Sequence, residues 1–352
     1  MQNNSKISVC IAYHNMGDLI SDLIDSIVAQ TYKNWEIIIC DNNSTKEEQK
    51  KLDEIIKKYK CDIKLIRTGN IGTYSARWQC YKKITGDIIV TPDSDDYYVD
   101  SEFFTFLAKT FENPEIDIIR YNYTRNPDAN TPFIVTPDEF INASPKEGID
   151  LLKKIIFEEH VFNSLTIHSF RKSLLDKIDV DPDMYMRYFE DDYMFLDLLD
   201  AASGIKFSNN VYYNYRINSD SISSTMHQDD RFKEDFERHE KQHSKYAKKW
   251  GFDSYDEEAN YNFIYKVILL PVVLLTNTNK SFKELKESLK EYYEKYELEI
   301  NNHSLDDKFF KPYERFLAKL FFKKRFTAIA LYIKGFIFVD KVKCRIESIL
   351  KR

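Results

Sequence analysis

Trp35-Glu-Ile-Ile-Ile-Cys-Asp41 and, further along, Gly86-Asp-Ile-Ile-Val-Thr-Pro-Asp93-Ser-Asp95-Asp96 share one pattern: a short run of branched apolar residues that ends on an acid. Such runs read as buried strands. Working outward, Ile7–Ala12 is another short apolar run, without the acid, and Leu19, Leu23, Ile24 and Ile27 recur at helical spacing between it and Trp35. Thr45–Tyr59 reads as a charged helix, Asp62–Arg67 as a strand, Thr73–Ile84 as a helix and Asp87–Thr91 as a strand. Ser101–Phe111 (helix) and Ile116–Tyr123 (strand) continue the alternation. Strands separated by single helices build βαβ units, so the sequence predicts an α/β fold: a Rossmann-like, mainly parallel sheet flanked by helices. Ligands of such sheets bind at the carboxyl ends of the strands. Asp41 and Asp93 both stand at those ends.

The pattern then changes. Asn126–Pro145, rich in Pro, Asn, Asp and Thr, reads as a loop or lid. Glu190–Ala202 is helical and Val211–Tyr215 an aromatic strand. After Asp229 strand signals vanish, and long charged helices follow over Arg231–Trp250, Glu257–Thr276 and Phe282–Glu299, with two basic helices to the end. The expected organisation is an α/β domain at 1–226 and a helical domain at 227–352.

Composition narrows the class. Apolar residues make up 43% and charged residues 31%, as in globular proteins, and 24 Tyr and 25 Phe suit a core as readily as a sugar site. The net charge of -6 is unevenly spread: Lys308–Arg352 holds 13 Lys and Arg against 3 acids, a local +10, which leaves -16 for the rest. An acidic body argues against nucleic-acid binding, whereas a basic tail suits an anionic membrane surface. Cys10, Cys40, Cys61, Cys80 and Cys344 form no C-x-x-C pair, and the first residues lack a signal-peptide pattern. The longest apolar run, Phe326–Val339, has 14 residues and includes Lys334, too short to span a bilayer. The expectation is a cytoplasmic protein, working at the inner face of the cell membrane if the tail binds there.

Three acidic groups stand out: Asp41, Asp93-Ser94-Asp95-Asp96, and Glu190-Asp191-Asp192. A D-x-D at a strand end offers hard oxygen ligands to Mg²⁺ or Mn²⁺, which would neutralise a diphosphate leaving group. The order of motifs is more specific than any one of them. Val9-Cys-Ile-Ala-Tyr-His-Asn15, Ser26-Ile-Val-Ala-Gln-Thr-Tyr32, Glu36-Ile-Ile-Ile-Cys-Asp41, Asn70-Ile-Gly72 with Arg77, Asp93-Ser-Asp95-Asp96, Phe189-Glu-Asp-Asp192 and Tyr212-Tyr-Asn-Tyr215-Arg216 with Ser221 follow one another over residues 5 to about 225. In this the chain resembles the family 2 glycosyltransferases of the GT-A fold.

The resemblance implies inverting transfer of a sugar from a UDP-sugar to a glycan or lipid-linked glycan, as in polysaccharide, lipopolysaccharide or glycoprotein assembly. It implies that Asp41 accepts a hydrogen bond from uracil, with Ala12, Tyr13 and Asn15 lining the nucleotide pocket and Tyr13 packing near the ring. Arg77 would sit near the diphosphate or the base. Asp93 and Ser94 would lie near the ribose, and Asp95, with Asp93, would hold Mn²⁺ or Mg²⁺. Asp191 would be the general base and Glu190 would help hold hydroxyls, while Arg216 and Ser221 would close over the diphosphate. The chain departs from the family at Ala12, where Pro is usual, at Asn42 and Asn43, at Trp78, and at Asn218, where His is frequent; the last puts the metal sphere in question, with His227 a substitute. Other readings stand beside these: Asp41 as a helix N-cap, Arg77 as a solvated helix residue, and Glu190 and Asp191 as acids favouring a helix dipole. Tyr212, Tyr213 and Tyr215 read as strand packing rather than sugar platforms.

Two functions from other classes are open. One is a non-catalytic nucleotide-sugar or glycan-binding module of the same fold. The other is a zinc metallopeptidase, because His239-Glu240-Lys-Gln-His243 matches H-E-x-x-H. Its polar flanks and the lack of a downstream third ligand weigh against zinc. The basic C-terminal helices read as closing a domain, as touching an anionic membrane, or as pairing in a homodimer.

Overall fold

The computed structural model describes residues 5–125, 131–133, 135–158, 164–216, 231–252, 255, 259–269, 272, 280–301, 305 and 310–335. At its centre β1 (Ile7–Tyr13) lies between β2 (Trp35–Asn42) and β4 (Ile88–Val90), parallel to both, and β3 (Ile63–Thr68) runs parallel along the outer side of β2. β1 and β2 are buried on both faces, as expected of parallel strands covered by helices. Tyr13 pairs with Asp41 and Asp41 with Arg67, so these strands end level and their loops emerge on one edge.

Beyond β4 the sheet turns mixed. β7 (His168–Arg171) is antiparallel to β4 and to β6 (Ile118–Thr124), β6 runs parallel to β8 (Ile205–Asn214), and β5 (Tyr97–Tyr98) is antiparallel to β8. The order is β3-β2-β1-β4-β7-β6-β8-β5. The parallel sheet read from the sequence is thus its first half. The helices are α1 (Leu19–Val28), α2 (Lys46–Ile56), α3 (Gly72–Tyr81), α4 (Phe103–Thr110), α5 (Asp138–Asn142), α6 (Pro145–Glu158), α7 (Glu190–Ala201) and α8 (Arg231–Trp250). Two of them, α5 and α6, begin at the end of the segment read as a loop. Pro137 precedes α5 and Pro145 opens α6, places where a missing N–H costs little, so residues that read as breakers are helix starts.

The far end of the parallel strands is tied by a buried acid. Glu36 accepts bonds from Lys64 Nζ (2.7 Å), Lys6 Nζ (3.0 Å), Ser8 Oγ (2.7 Å) and the Thr85 backbone N–H (2.6 Å). Burial pushes this carboxyl up, but the bonds from Lys64, Thr85, Ser8 and Lys6 outweigh it and hold it well below the usual range. A depressed carboxyl stabilises the fold above its unfolded pKa, and that contribution is lost as pH falls through the folded one.

Contacts divide the chain into two units: Met1–Ser221 with Glu237–Trp250, and Ile222–Phe236 with Gly251–Arg352. Most of α8 therefore belongs with the sheet, although it follows the boundary expected at 226. In the other unit, Ser281 and Glu284 form a capping box at the start of the helix Phe282–Lys295, which buries Leu285, Leu289, Tyr292 and Tyr293. The helix Pro312–Phe322 buries Leu317, Ala318 and Phe321.

α3 carries Arg77, and its start is fixed by close approach. Gly72 has φ +81°, and a Cβ there would stand 2.7 Å from Met186 O and 2.9 Å from Met186 N. The same strand of chain accepts from Tyr74 N (Met186 O, 3.1 Å) and Ser75 Oγ (Met184 O, 2.8 Å). Gly72→Ala should therefore cost about 1–3 kcal/mol from backbone strain alone, read as a lower urea midpoint; an unchanged midpoint would show that residues 184–186 yield freely.

Candidate active site

The site grows from one side chain. Arg77 is a large cation only 2% exposed, and a buried charge needs partners. Its Nη1 donates to Glu190 Oε1 (3.0 Å) and to Asp191 Oδ1, and its Nη2 donates to Asp93 Oδ1 (3.0 Å). Residues from α3, the loop after β4 and the first turn of α7 thereby converge on one guanidinium. Burial pulls against the charge of Arg77, but Asp191, Glu190 and Asp93 overcome it and raise its pKa further. Arg77 is not the solvated helix residue that was one reading of the sequence. It holds three acids rather than lying open to a diphosphate.

Asp191 has a second support: Ser164 Oγ donates to its Oδ2 at 2.5 Å. The carboxylate of the expected base is thus fixed at both oxygens. Phe189, just before it, adopts φ 61°, a left-handed conformation that is uncommon for a side chain of this size. This turn delivers Glu190, Asp191 and Asp192 at the start of α7, where acids also favour the helix dipole.

The loop after β4 is held from behind. Tyr213 Oη accepts from the Asp93 backbone N–H (3.0 Å) and donates to Asp96 Oδ2 (2.7 Å), while Asp96 Oδ1 accepts from the Arg216 backbone N–H (2.8 Å). Ser94 is buried and Asp93 and Asp95 are partly exposed. Burial pushes Asp96 up to about 7, against the bonds from Arg216 and Tyr213. Burial also raises Asp93, helped by Asp191, Asp96 and Asp95 and opposed by Arg77; the side chain keeps 37% of its surface, yet protein crowds it closely. Acids gathered under this strain suit a divalent cation, and an all-carboxylate donor set suits Mg²⁺ or Mn²⁺.

At the end of β2, Asp41 is fully buried. Its Oδ1 accepts from Ser44 N at 3.0 Å, and its Oδ2 has no hydrogen bond, with Arg67 Nε at 3.7 Å. Asp41 is not the cap of α2, since Thr45 Oγ1 accepts from Glu48 N there. The loop after β1 is laced to this one: Asn15 N donates to Ser44 Oγ (3.0 Å) and Asn15 Oδ1 accepts from Thr45 N (2.9 Å). Asn42 Oδ1 accepts from Ile71 N at 2.9 Å, so the Asn at this departure from the family joins the β2 and β3 loops.

Other expected residues lie differently. Tyr13 is 1% exposed, packed in the core with its hydroxyl on Glu48 (3.2 Å), so its ring is no platform for a base. Strand alternation turns it inward and leaves Ala12 beside it half-buried. The Arg216 side chain pairs with Asp22 and lies over the Tyr97 ring, 4.7 Å from its centroid. Ser221, Asn218 and His227 lie outside the described residues. Ser164 carried no functional signal in the sequence, since an isolated Ser looks like any other, and Tyr213, read there as strand packing, holds the Asp93 loop as well.

Removing the guanidinium would leave three acids crowded with no counter-charge. Arg77→Met should lower stability by about 3–5 kcal/mol, the cost of breaking a buried pair, measured by denaturant unfolding. A loss no larger than that of a surface substitution would mean that water replaces the cation there.

Among curated proteins, the chain is 25% identical over 217 residues to the uncharacterized glycosyltransferase EpsJ of Bacillus subtilis, matching 62% of each chain. It is 41% identical over 96 residues to the UDP-Glc:alpha-D-GlcNAc-diphosphoundecaprenol beta-1,3-glucosyltransferase WfaP of Escherichia coli, 26% of this chain and 36% of that one. It thus spans less than two thirds of either relative. Among solved structures it superposes on S. aureus TarS 1-349 in complex with UDP-GlcNAc with a TM-score of 0.51 at 15% identity, covering 94% of this chain and 91% of that one. The mannosyltransferase PcManGT of Pyrobaculum calidifontis, in complex with GDP-Man and Mn²⁺, gives a TM-score of 0.51 at 11% identity over 93% and 86%. At such identities these two report the fold. Residues 8–179, just under half of the chain, match the family described as Glycosyl transferase family 2, and the chain has the GT-A fold of these structural neighbours.

Proposed function

We propose that this chain is an inverting glycosyltransferase that transfers a hexose or N-acetylhexosamine from a UDP-sugar to a glycan or lipid-linked glycan, in the assembly of a bacterial surface polysaccharide, lipopolysaccharide or glycoprotein. The observation that carries the reading is the Arg77-centred convergence of Asp93, from the loop after β4, with Glu190 and Asp191, from the first turn of α7. TarS, a structural neighbour, is known with UDP-GlcNAc, and WfaP, a relative, is named for a UDP-Glc donor and a diphosphoundecaprenol-linked acceptor.

Each residue then has a task. Asp41 Oδ2, buried and without a hydrogen bond, accepts the imide N–H of uracil. Ala12, the Tyr13 backbone, Asn15 and Ser94 border the nucleotide, and Arg216 and Ser221 approach the diphosphate. Asp95 with Asp93 would hold Mn²⁺ or Mg²⁺, which would supply charge neutralisation at the diphosphate. Asp191, oriented by Arg77 and Ser164, takes the proton of an acceptor hydroxyl as that oxygen attacks the anomeric carbon. The bond to the UDP oxygen breaks on the opposite face, the configuration inverts, and the pair of electrons leaves with UDP. Glu190 orients hydroxyls nearby.

The helical region would serve the acceptor, a second copy or a membrane. Tyr313, Phe316, Leu331 and Tyr332 are exposed there, and with the basic tail they support peripheral contact of a cytoplasmic enzyme with an anionic bilayer. No described helix is long and apolar enough to cross one.

Calorimetry tests the donor site: UDP binds with Mn²⁺, and Asp95→Ala loses the metal-dependent part. Absence of binding to wild type in either condition would point to another nucleotide or a binding module. Asp191→Asn should reduce turnover by about 10²–10⁴-fold while UDP affinity stays; unchanged turnover would remove Asp191 as the base.

A further inference from the structure

One motif stays outside this account. His239 and His243 stand four residues apart on one face of α8, 1% and 5% exposed. Both aim Nε2 at the same atom, Asp192 Oδ2, at 2.8 and 2.7 Å. Asp192 is itself 2% exposed and follows Asp191 on α7. The third ligand that the sequence lacked downstream therefore comes from upstream. Two imidazole nitrogens and a carboxylate oxygen, all within 4.8 Å of one another, form the one cluster of three or more metal-ligating side chains among the described residues.

We propose that Asp192, His239 and His243 bind a structural divalent transition-metal ion, of the zinc class, distinct from the cation of the sugar donor. The chemistry separates the two: mixed imidazole and carboxylate ligands suit zinc, whereas the carboxylates at Asp93 and Asp95 suit Mg²⁺ or Mn²⁺. Zinc bonds of about 2.0–2.1 Å in a tetrahedron require ligand atoms about 3.3 Å apart, so each ligand withdraws by a fraction of an ångström from its present hydrogen-bonded position. The surroundings are those of a metal site. Glu240 Oε1 lies 3.3 Å from His239 Nδ1, the nitrogen left over when Nε2 binds metal, and a carboxylate on that second nitrogen fixes the tautomer. Phe189 and Phe157 flank the rings at 5.0 and 5.5 Å. Burial of all three ligands closes the site to a peptide, so the H-E-x-x-H here is not that of a peptidase. The ion would clamp α8 onto the first turn of α7, one residue from Asp191.

The test uses the full chain loaded with Zn²⁺ and dialysed. Elemental analysis should find one zinc per chain in wild type and in Asp95→Ala, and none above background in His239→Gln/His243→Gln. Glu240→Gln should weaken zinc affinity about 10- to 100-fold, as loss of such a supporting carboxylate does. If the double variant fails to fold, wild type still decides: chelation should lower its melting temperature, and Co²⁺ in place of Zn²⁺ should give visible absorption from nitrogen ligation. Wild type that retains no stoichiometric zinc, or zinc retained equally by the folded double variant, overturns the proposal. Either result leaves UDP binding unaffected as a separate readout.

Discussion

A single buried guanidinium is the constraint on which the site depends. Arg77 could not be left in the interior without counter-charge, and Asp93, Glu190 and Asp191 could not be crowded together without a cation. Each side of the cluster makes the other tolerable. That mutual need draws together three segments that are far apart in the chain: α3, the loop after β4 and the turn before α7. A Lys in this place would offer a point charge where a planar fork now spans three carboxylates.

Around this centre the polar groups are used in tiers. Tyr213 reaches from β8 to hold both the Asp93 backbone and Asp96, which fixes the shape of the loop after β4. Ser164 instead bonds a carboxylate directly, orienting Asp191 through its Oδ2. At the other end of the sheet Glu36 fastens the strand starts through Lys6, Lys64, Ser8 and Thr85. The sheet is thus pinned by charge at both ends and by apolar packing between them.

The first half of the sheet was legible because β1, β2 and β4 are dominated by branched apolar residues, and the acids that follow β2 and β4 marked the functional edge. In the second half β6 and the end of β8 were legible as strands, but β7, β5 and the antiparallel pairing were not. His168-Ser-Phe-Arg171 is too short to show a period, and its His and Arg hide a strand that is buried by its neighbours on either side. Asp41, Asp93, Glu190 and Asp191 were readable as a set because an ordered series of motifs carried them; that Arg77 gathers the last three was not, since contact across 113 residues leaves no trace in local spacing. Tyr13 misled for the opposite reason. Adjacency to Ala12 in sequence says nothing about which face of a strand a ring takes. The two His of α8 were discounted for polar flanks, yet the helix turns those flanks away and buries the His pair against α7.

That pairing of α7 with α8 has a consequence for how the chain is made. Asp192, Asp197 and Asp200 meet His239 and His243, Gln242 and Tyr246, and Lys249 and Trp250. All of these partners are synthesised after the last strand of the sheet. A polypeptide ending at 226, where the strand pattern stops, would carry every residue of the catalytic cluster but leave the buried Asp192 and Asp197, and the half-buried Asp200, without these partners. During translation the same shortfall lasts until residue 250 has left the ribosome, so the half that looks self-sufficient in sequence must wait for a helix from beyond its own border.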